Sequence, residues 1–89
     1  MSVQTATVIA GTSATLLYRN DSFALHEVVF TSHGNSADVY VGGPTVTPTS
    51  NGIVFPKSQT AILTVPPGEI LYCAGNGTDT MKWLTFTDD

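Results

Sequence analysis

The chain has 89 residues and a formal charge of −4, enough length for one domain with a modest core and not for two. Arg19, Lys57 and Lys82 are its only Lys or Arg residues, too few and too scattered for a face that binds nucleic acid or an anionic membrane. Charged residues make up 11% of the chain, against ~25% in ordinary soluble domains, and hydroxyl and amide side chains supply the polarity instead. No apolar run approaches the ~18–20 residues of a membrane span. The opening MSVQTATVIAG has no Lys or Arg and no apolar leader core, so synthesis in a cytoplasm is expected. Cys73 is the single cysteine, which rules out an intrachain disulfide. Its apolar neighbours Leu71, Tyr72 and Ala74 predict a buried, unreactive thiol, leaving oligomerisation as the remaining source of extra stability.

Thr, Val, Ile and aromatic residues dominate, and they favour strands. The first run, Val3 to Ala10, ends at the turn Ala10-Gly11-Thr12-Ser13. The second, Ala14 to Arg19, is expected to place Ala14, Leu16 and Tyr18 on one face, before a polar turn at Asn20-Asp21-Ser22. The third, Ala24 to Ser32, puts Ala24, His26, Val28 and Phe30 on one face and Leu25, Glu27, Val29 and Thr31 on the other. Both faces carry apolar groups, so this strand should be central, or one face should meet a partner. Gly34-Asn35 predicts a hairpin turn with Gly first. Ala37, Val39 and Val41 then alternate with Asp38 and Tyr40 in a half-buried strand.

A long neutral connection is expected from Gly43 to Gly52, with a turn at Asn51-Gly52 leading into Ile53-Val54-Phe55. Pro56 should end that strand or place it at an edge. Ala61, Leu63 and Val65 alternate with Thr60, Ile62 and Thr64. Pro66-Pro67-Gly68-Glu69 fits a type II turn. Ile70 to Ala74 is apolar on both faces, and Gly75-Asn76-Gly77 turns the chain again. The last run sets Met81, Trp83 and Thr85 against Lys82, Leu84 and Phe86, and Asp88-Asp89 forms a solvated end. The spacing predicts an all-β single domain over residues 1–89, an antiparallel sandwich or small barrel of about seven or eight short strands.

Chemistry is sparsely encoded. His26-Glu27-Val28-Val29-Phe30 begins like a zinc-protease motif, but Phe30 stands where the second His belongs, and a strand sends neighbours to opposite faces. His26 and His33 are an odd number of residues apart and could meet Cys73 only through the tertiary fold. The acids are dispersed, without calcium-loop spacing or a marked pair for glycoside hydrolysis. Tyr18, Tyr40, Tyr72 and Trp83 could form a sugar-stacking platform, although the single Trp of a small domain is usually core. Asn20-Asp21-Ser22 and Asn76-Gly77-Thr78 match glycosylation sequons and are read as turns. No catalytic residue, metal or cofactor is expected, and the protein is read as non-enzymatic.

The stretch ADVYVGGPTVTPTSNGIVFPKSQTAILTVPPGEILYCAGNGTDTMKWLTF resembles a pattern in small head proteins of tailed bacteriophages. The matching pieces are Val39 to Gly43, Thr45 to Gly52, Ala61 to Val65, Pro67-Gly68-Glu69, Leu71-Tyr72 and Met81 to Phe86. Ser58 departs from it where Gly is usual, and Cys73 where Ala is commoner. The resemblance implies a capsid decoration, or cement, protein on the shell exterior of a virion. It implies the major capsid protein as partner and a homo-oligomer, with a trimer favoured. The alternative is a tail, tail-tip or head-fibre module that binds host-surface glycan. Two segments are the candidate interface: Val3, Thr5 and Thr7 on a low-charge edge strand, and Gly43, Pro44, Thr45, Val46, Thr47, Pro48 and Thr49 in the connection. Pro44 and Pro48 limit φ there, which reduces the entropy lost when the segment is ordered against a partner.

Overall fold

Alternation of small polar and branched apolar residues produces strands throughout, and the described residues contain no helix. A computed structural model describes residues 2–87, and the solvated end expected at Asp88-Asp89 lies outside them. The strands are β1 (Ser2–Ile9), β2 (Thr15–Arg19), β3 (His26–Thr31), β4 (Val39–Thr47), β5 (Ser50–Phe55), β6 (Thr60–Val65), β7 (Ile70–Ala74) and β8 (Thr80–Thr87). They form two four-stranded antiparallel sheets, in the orders β1-β8-β3-β6 and β2-β7-β4-β5. The architecture is a small β-sandwich.

β3 is central, as its two-sided apolar pattern predicts, and β5 is an edge strand that stops before Pro56. Facing inward from the first sheet, Ala6, Trp83, Phe30 and Ala61 line up across all four strands. The two alanines leave room for the two large rings between them. From the second sheet, Val39 and Phe55 form one pair and Val41 and Cys73 another. Val28, Phe30, Phe55 and Met81 are almost fully buried, each contributing roughly 2–3 kcal/mol of transfer free energy.

Only β4 and β5 are joined within one sheet. The other six connections carry the chain from one sheet to the other. This corrects the hairpin expected at Gly34-Asn35. Asn35 N–H donates to Ser32 C=O at 3.1 Å, and Gly34, at φ 90°, is the second central residue of that turn rather than the first. The chain then leaves the first sheet to start β4 in the second. The type II turn at Pro66 to Glu69 forms as expected, with Glu69 N–H donating to Pro66 C=O at 3.2 Å.

Two expectations about faces and loops are overturned. A β-bulge interrupts the β2–β7 register between Leu16 and Tyr18, so Leu17 and Tyr18 are both buried and Leu16 is 43% exposed. The bulged Leu17 carbonyl accepts the Trp83 indole N–H at 2.9 Å. The long connection is a strand hairpin instead: β4 runs on through Gly43, Pro44 and Thr45 to Thr47, and the turn lies at Pro48-Thr49. Asn51 is not the turn. It sits at φ 64° inside β5, opposite the irregularity between Gly42 and Thr47. Gly42 and Gly52 pair there because the backbones approach closely. A Cβ on Gly52 would lie 2.5 Å from Val41 C=O, and one on Gly42 2.7 Å from Asn51 C=O.

The sandwich ends are closed by polar side chains. Asn20 is fully buried, and its amide donates to Ala24 C=O at 2.9 Å and Val65 C=O at 2.8 Å. Its Oδ1 accepts Ser22 N–H at 3.0 Å and the Ser22 hydroxyl at 2.8 Å. Ser32, also fully buried, donates to the carbonyl of Pro56 and accepts from Gln59 N–H. Asn35 mimics a ladder partner for Thr80, donating to its C=O at 2.8 Å and accepting from its N–H at 3.0 Å.

Two stability predictions follow from these contacts. Asn20→Ala strands the buried Val65 carbonyl and should cost about 2–4 kcal/mol by urea denaturation. Gly52→Ala should cost about 2–3 kcal/mol, while Gly43→Ala, where a Cβ meets nothing within 4 Å, should stay within about 0.5 kcal/mol.

Candidate functional site

A recess of about 570 Å³ opens between β1 and β2, the edge strands on one side of the sandwich. Its apolar floor includes Ala6, Leu17 and Trp83, and its polar end holds Arg19, Ser22 and His26. His26 comes from the inward side of β3, and the exposed Glu27 from the outward side, so the two diverge. Tyr18 Oη lies 2.6 Å from His26 Nδ1, and Ser22 Oγ lies 2.9 Å from Nε2. Burial pushes the Tyr18 phenol up, with Asp21 adding to the shift and Thr85 opposing it. The tautomer that fits the bond from Ser22 to Asn20 has Nε2–H donating to Ser22 and Nδ1 accepting from the Tyr18 phenol. Ser22 in turn gives its proton to Asn20 Oδ1. In that chain Nε2 is a donor, whereas a nucleophile–base pair needs it to accept the serine proton. The cluster locks the β2–β3 connection.

Cys73 is fully buried, and burial pushes its thiol up to about 11. His33 is exposed in the turn after β3, so the histidines and Cys73 do not converge. Among the described residues no group of three His, Cys, Asp or Glu side chains could hold a metal ion. The aromatic platform is split. Tyr18 packs edge-on to Trp83 at 4.8 Å between ring centres, inside the sandwich, while Tyr40 and Tyr72 lie half-buried on the outer face of the second sheet. Asp79 accepts from Ser36 N–H at 3.0 Å, Ala37 N–H at 2.8 Å and the Asn76 amide at 3.0 Å, tying the β3–β4 and β7–β8 connections together. The Ser36 backbone bond is the main reason its carboxyl sits below the usual carboxylate range; burial opposes the shift, and the Ala37, Ser36 and Asn76 bonds assist it.

The outer face of the first sheet carries exposed apolar side chains on several neighbouring strands. Strand register places Thr5, Leu84, Val29 and Ile62 in one row across all four strands. Val3 pairs with Phe86 in a neighbouring position. Val3, Phe86 and Ile62 are 56%, 55% and 62% exposed. Leu25, just before β3, is exposed as well, and it lines a recess with Phe23 and Phe86 at one end of this face. On the other side of the apolar row, Thr7, Lys82, Thr31 and Thr60 form a row of hydroxyls with a single charge. Glu27 is the only other charge on these strands' outer face.

The two predicted interface segments do not meet. Val3, Thr5 and Thr7 lie exposed on β1, at one edge of the first sheet. The β4–β5 hairpin lies at the edge of the second sheet opposite β2, and β2 is the strand that contacts β1. In the hairpin tip Gly43, Pro44, Thr45 and Thr49 are exposed, Thr47 and Pro48 half-buried, and Val46 buried. The tip is held by its own hydroxyls: Thr47 Oγ1 lies 2.8 Å from Ser50 Oγ, and the Asn51 amide donates to Thr45 C=O at 3.1 Å. Sequence reasoning flagged both segments but missed the exposed Phe23, Leu25, Ile62 and Phe86. The two-sided pattern of β3 was the available signal for an outer apolar face. The chain matches no known protein family, no characterised protein and no solved structure.

Because the folded Asp79 carboxyl is acid-shifted, its stabilising effect is present above the unfolded carboxylate range and disappears as pH falls through its lower folded value. Urea midpoints measured between about pH 6 and pH 2 should therefore fall for the native chain. Asp79→Asn should start lower and fall less steeply over the same range.

Proposed function

We propose that this protein is a non-enzymatic virion component that decorates and stabilises the outside of a phage capsid by protein–protein contact. The observation that carries the contact part is the outer face of the first sheet, where Ile62 is exposed in line with Leu84 and Val29, and Val3 and Phe86 are exposed beside them. A lone exposed aliphatic side chain needs no explanation, but a patch of this kind spread across neighbouring strands marks an interaction surface. Its rim of threonines costs little to desolvate compared with charged groups. The capsid part rests on the resemblance of residues Val39 to Phe86 to small phage head proteins.

In this reading the major capsid protein meets the apolar face, and many weak contacts act together through avidity. A homo-oligomer presents several such faces at once. The trimer that the resemblance implies is a cyclic assembly, which needs two different patches on each subunit. The exposed tip of the β4–β5 hairpin, held in shape by its own hydrogen bonds, is suited to one of them. The glycan-binding alternative has less support, because Tyr18 and Trp83 are engaged with each other inside the fold.

Cosedimentation with purified capsids lacking this protein tests the proposal. The native chain should bind at a fixed copy number per shell, and Ile62→Lys combined with Phe86→Lys should weaken binding by at least tenfold with unchanged circular dichroism. No binding by the native chain, or undiminished binding by the double variant, would refute it.

A further inference from the structure

We infer that β1 is a self-association edge, through which two copies of this chain pair antiparallel about a two-fold axis passing beside Ala6. This deepens the contact reading above and relies on it only for a protein partner; it is a property of the isolated chain.

Edge strands are ordinarily protected by charge, proline, bulges or shortness. β2 is short and bulged, and it ends in Arg19. β5 is irregularly paired and stops before Pro56. β1 has none of these devices. It spans 8 residues, pairs with β8 without a break, and contains no charge and no proline. On a chain of net charge −4, such an edge keeps like charges out of the contact itself. β6, the other edge of the same sheet, is likewise uncharged but has 6 residues.

The side chains of β1 fit a copy of themselves. A two-fold axis perpendicular to the sheet keeps outer residues on the outer face. With Ala6 opposite the partner's Ala6, Thr5 faces the partner's Thr7 and Val3 faces the partner's Ile9. The Ala6 pair lies on the axis and occurs once, the other pairings occur twice by symmetry, and every residue from Val3 to Ile9 finds a partner. On the outer face hydroxyl meets hydroxyl and aliphatic meets aliphatic, favourable cross-strand combinations, while on the inner side Gln4 faces the partner's Val8. The register also accounts for two side chains the monomer leaves open, Val3 at 56% exposure and Ile9 at 60%.

Area sets the strength. Seven paired residues extend about 24 Å. Across a sandwich whose smallest extent is 16 Å, that gives a flat contact of about 380 Å², near half the ~800 Å² per partner of a standard stable interface. The pair should therefore form reversibly and in proportion to concentration. It uses a different edge from the β4–β5 hairpin, so it is compatible with cyclic association elsewhere.

Sedimentation equilibrium over a wide concentration range is the test. The native chain should reach an even-numbered assembly. Thr5→Lys combined with Thr7→Lys, which sets lysine against lysine twice across the axis, should halve its mass. Thr5→Lys combined with Thr7→Glu, which sets lysine against glutamate in the same register, should restore it. Amide hydrogen exchange on the unaltered chain gives an independent reading: protection of β1 should rise with concentration. A native monomer at every concentration, a mass unaffected by the two lysines, or concentration-independent β1 exchange would overturn the inference. Capsid binding that survives the loss of pairing leaves the proposed function standing, and pairing without capsid binding leaves this contact standing.

Discussion

Asn20 holds together the part of the molecule most at risk. Its side chain is fully buried, yet every polar atom of its amide group has a partner, spanning the β2–β3 and β6–β7 connections. Its own backbone joins the same knot, since Asn20 N–H donates to Glu69 C=O and Asn20 C=O accepts from Gly68 N–H. The need for such a knot comes from the path of the chain. Six of the seven connections cross between sheets, and each crossing takes backbone groups out of the ladders at the closed ends of the sandwich. Buried backbone groups without partners are costly, so something must satisfy them. Asn20, Ser32, Asn35 and Asp79 do so at four places, with short polar side chains that fit where long charged ones would not.

These staples leave the flat faces and lateral edges of the molecule free of such duties. The core supplies apolar burial from both sheets, but a domain of this size has a small stability margin. Exposed Val3, Ile62, Leu25 and Phe86 are therefore expensive features to carry on the surface of an isolated chain. They cluster at one sheet, with hydroxyl-bearing residues around them, and the proposed contact rests on that clustering. Likewise the β4–β5 hairpin invests hydrogen bonds and a close glycine pairing in a tip that contributes little to the main core.

The groove between β1 and β2 shows how the same residue types can serve structure. Tyr18, His26 and Ser22 are common in active sites, and here they lie within hydrogen-bond distance in series. What decides their role is the direction of the protons. Ser22 gives its proton to Asn20 Oδ1, and the tautomer that matches has Nε2–H donating to Ser22 and Nδ1 accepting from the Tyr18 phenol. The β2 bulge belongs to the same arrangement. It turns both Leu17 and Tyr18 inward and offers the Leu17 carbonyl to Trp83, so the indole is anchored at the core's edge.

Sequence by itself determined the features that depend on near neighbours along the chain. The two-residue period of a strand grouped Ala61, Leu63 and Val65 on one face, and Met81, Trp83 and Thr85 on one face, because side-chain direction alternates wherever pairing is regular; the fold turned both groups inward. The type II turn at Pro66 to Glu69 and the burial of Cys73 were legible for similar local reasons. The tertiary structure alone decided which strands pair, and hence that Gly34 serves a crossing and that Asn51 and Gly52 continue a strand rather than turn it. It also decided that the β2 bulge would exchange the faces of Leu16 and Leu17, and that Asn20, polar and turn-forming in sequence, would be buried. Strand pairing joins residues distant in sequence, and a turn motif reads the same whichever sheet its next strand will enter. The candidate surface was half visible for the same reason: alternation marked β3 as apolar on both sides, but only the register of four separated strands assembled Leu84, Val29 and Ile62 into one row.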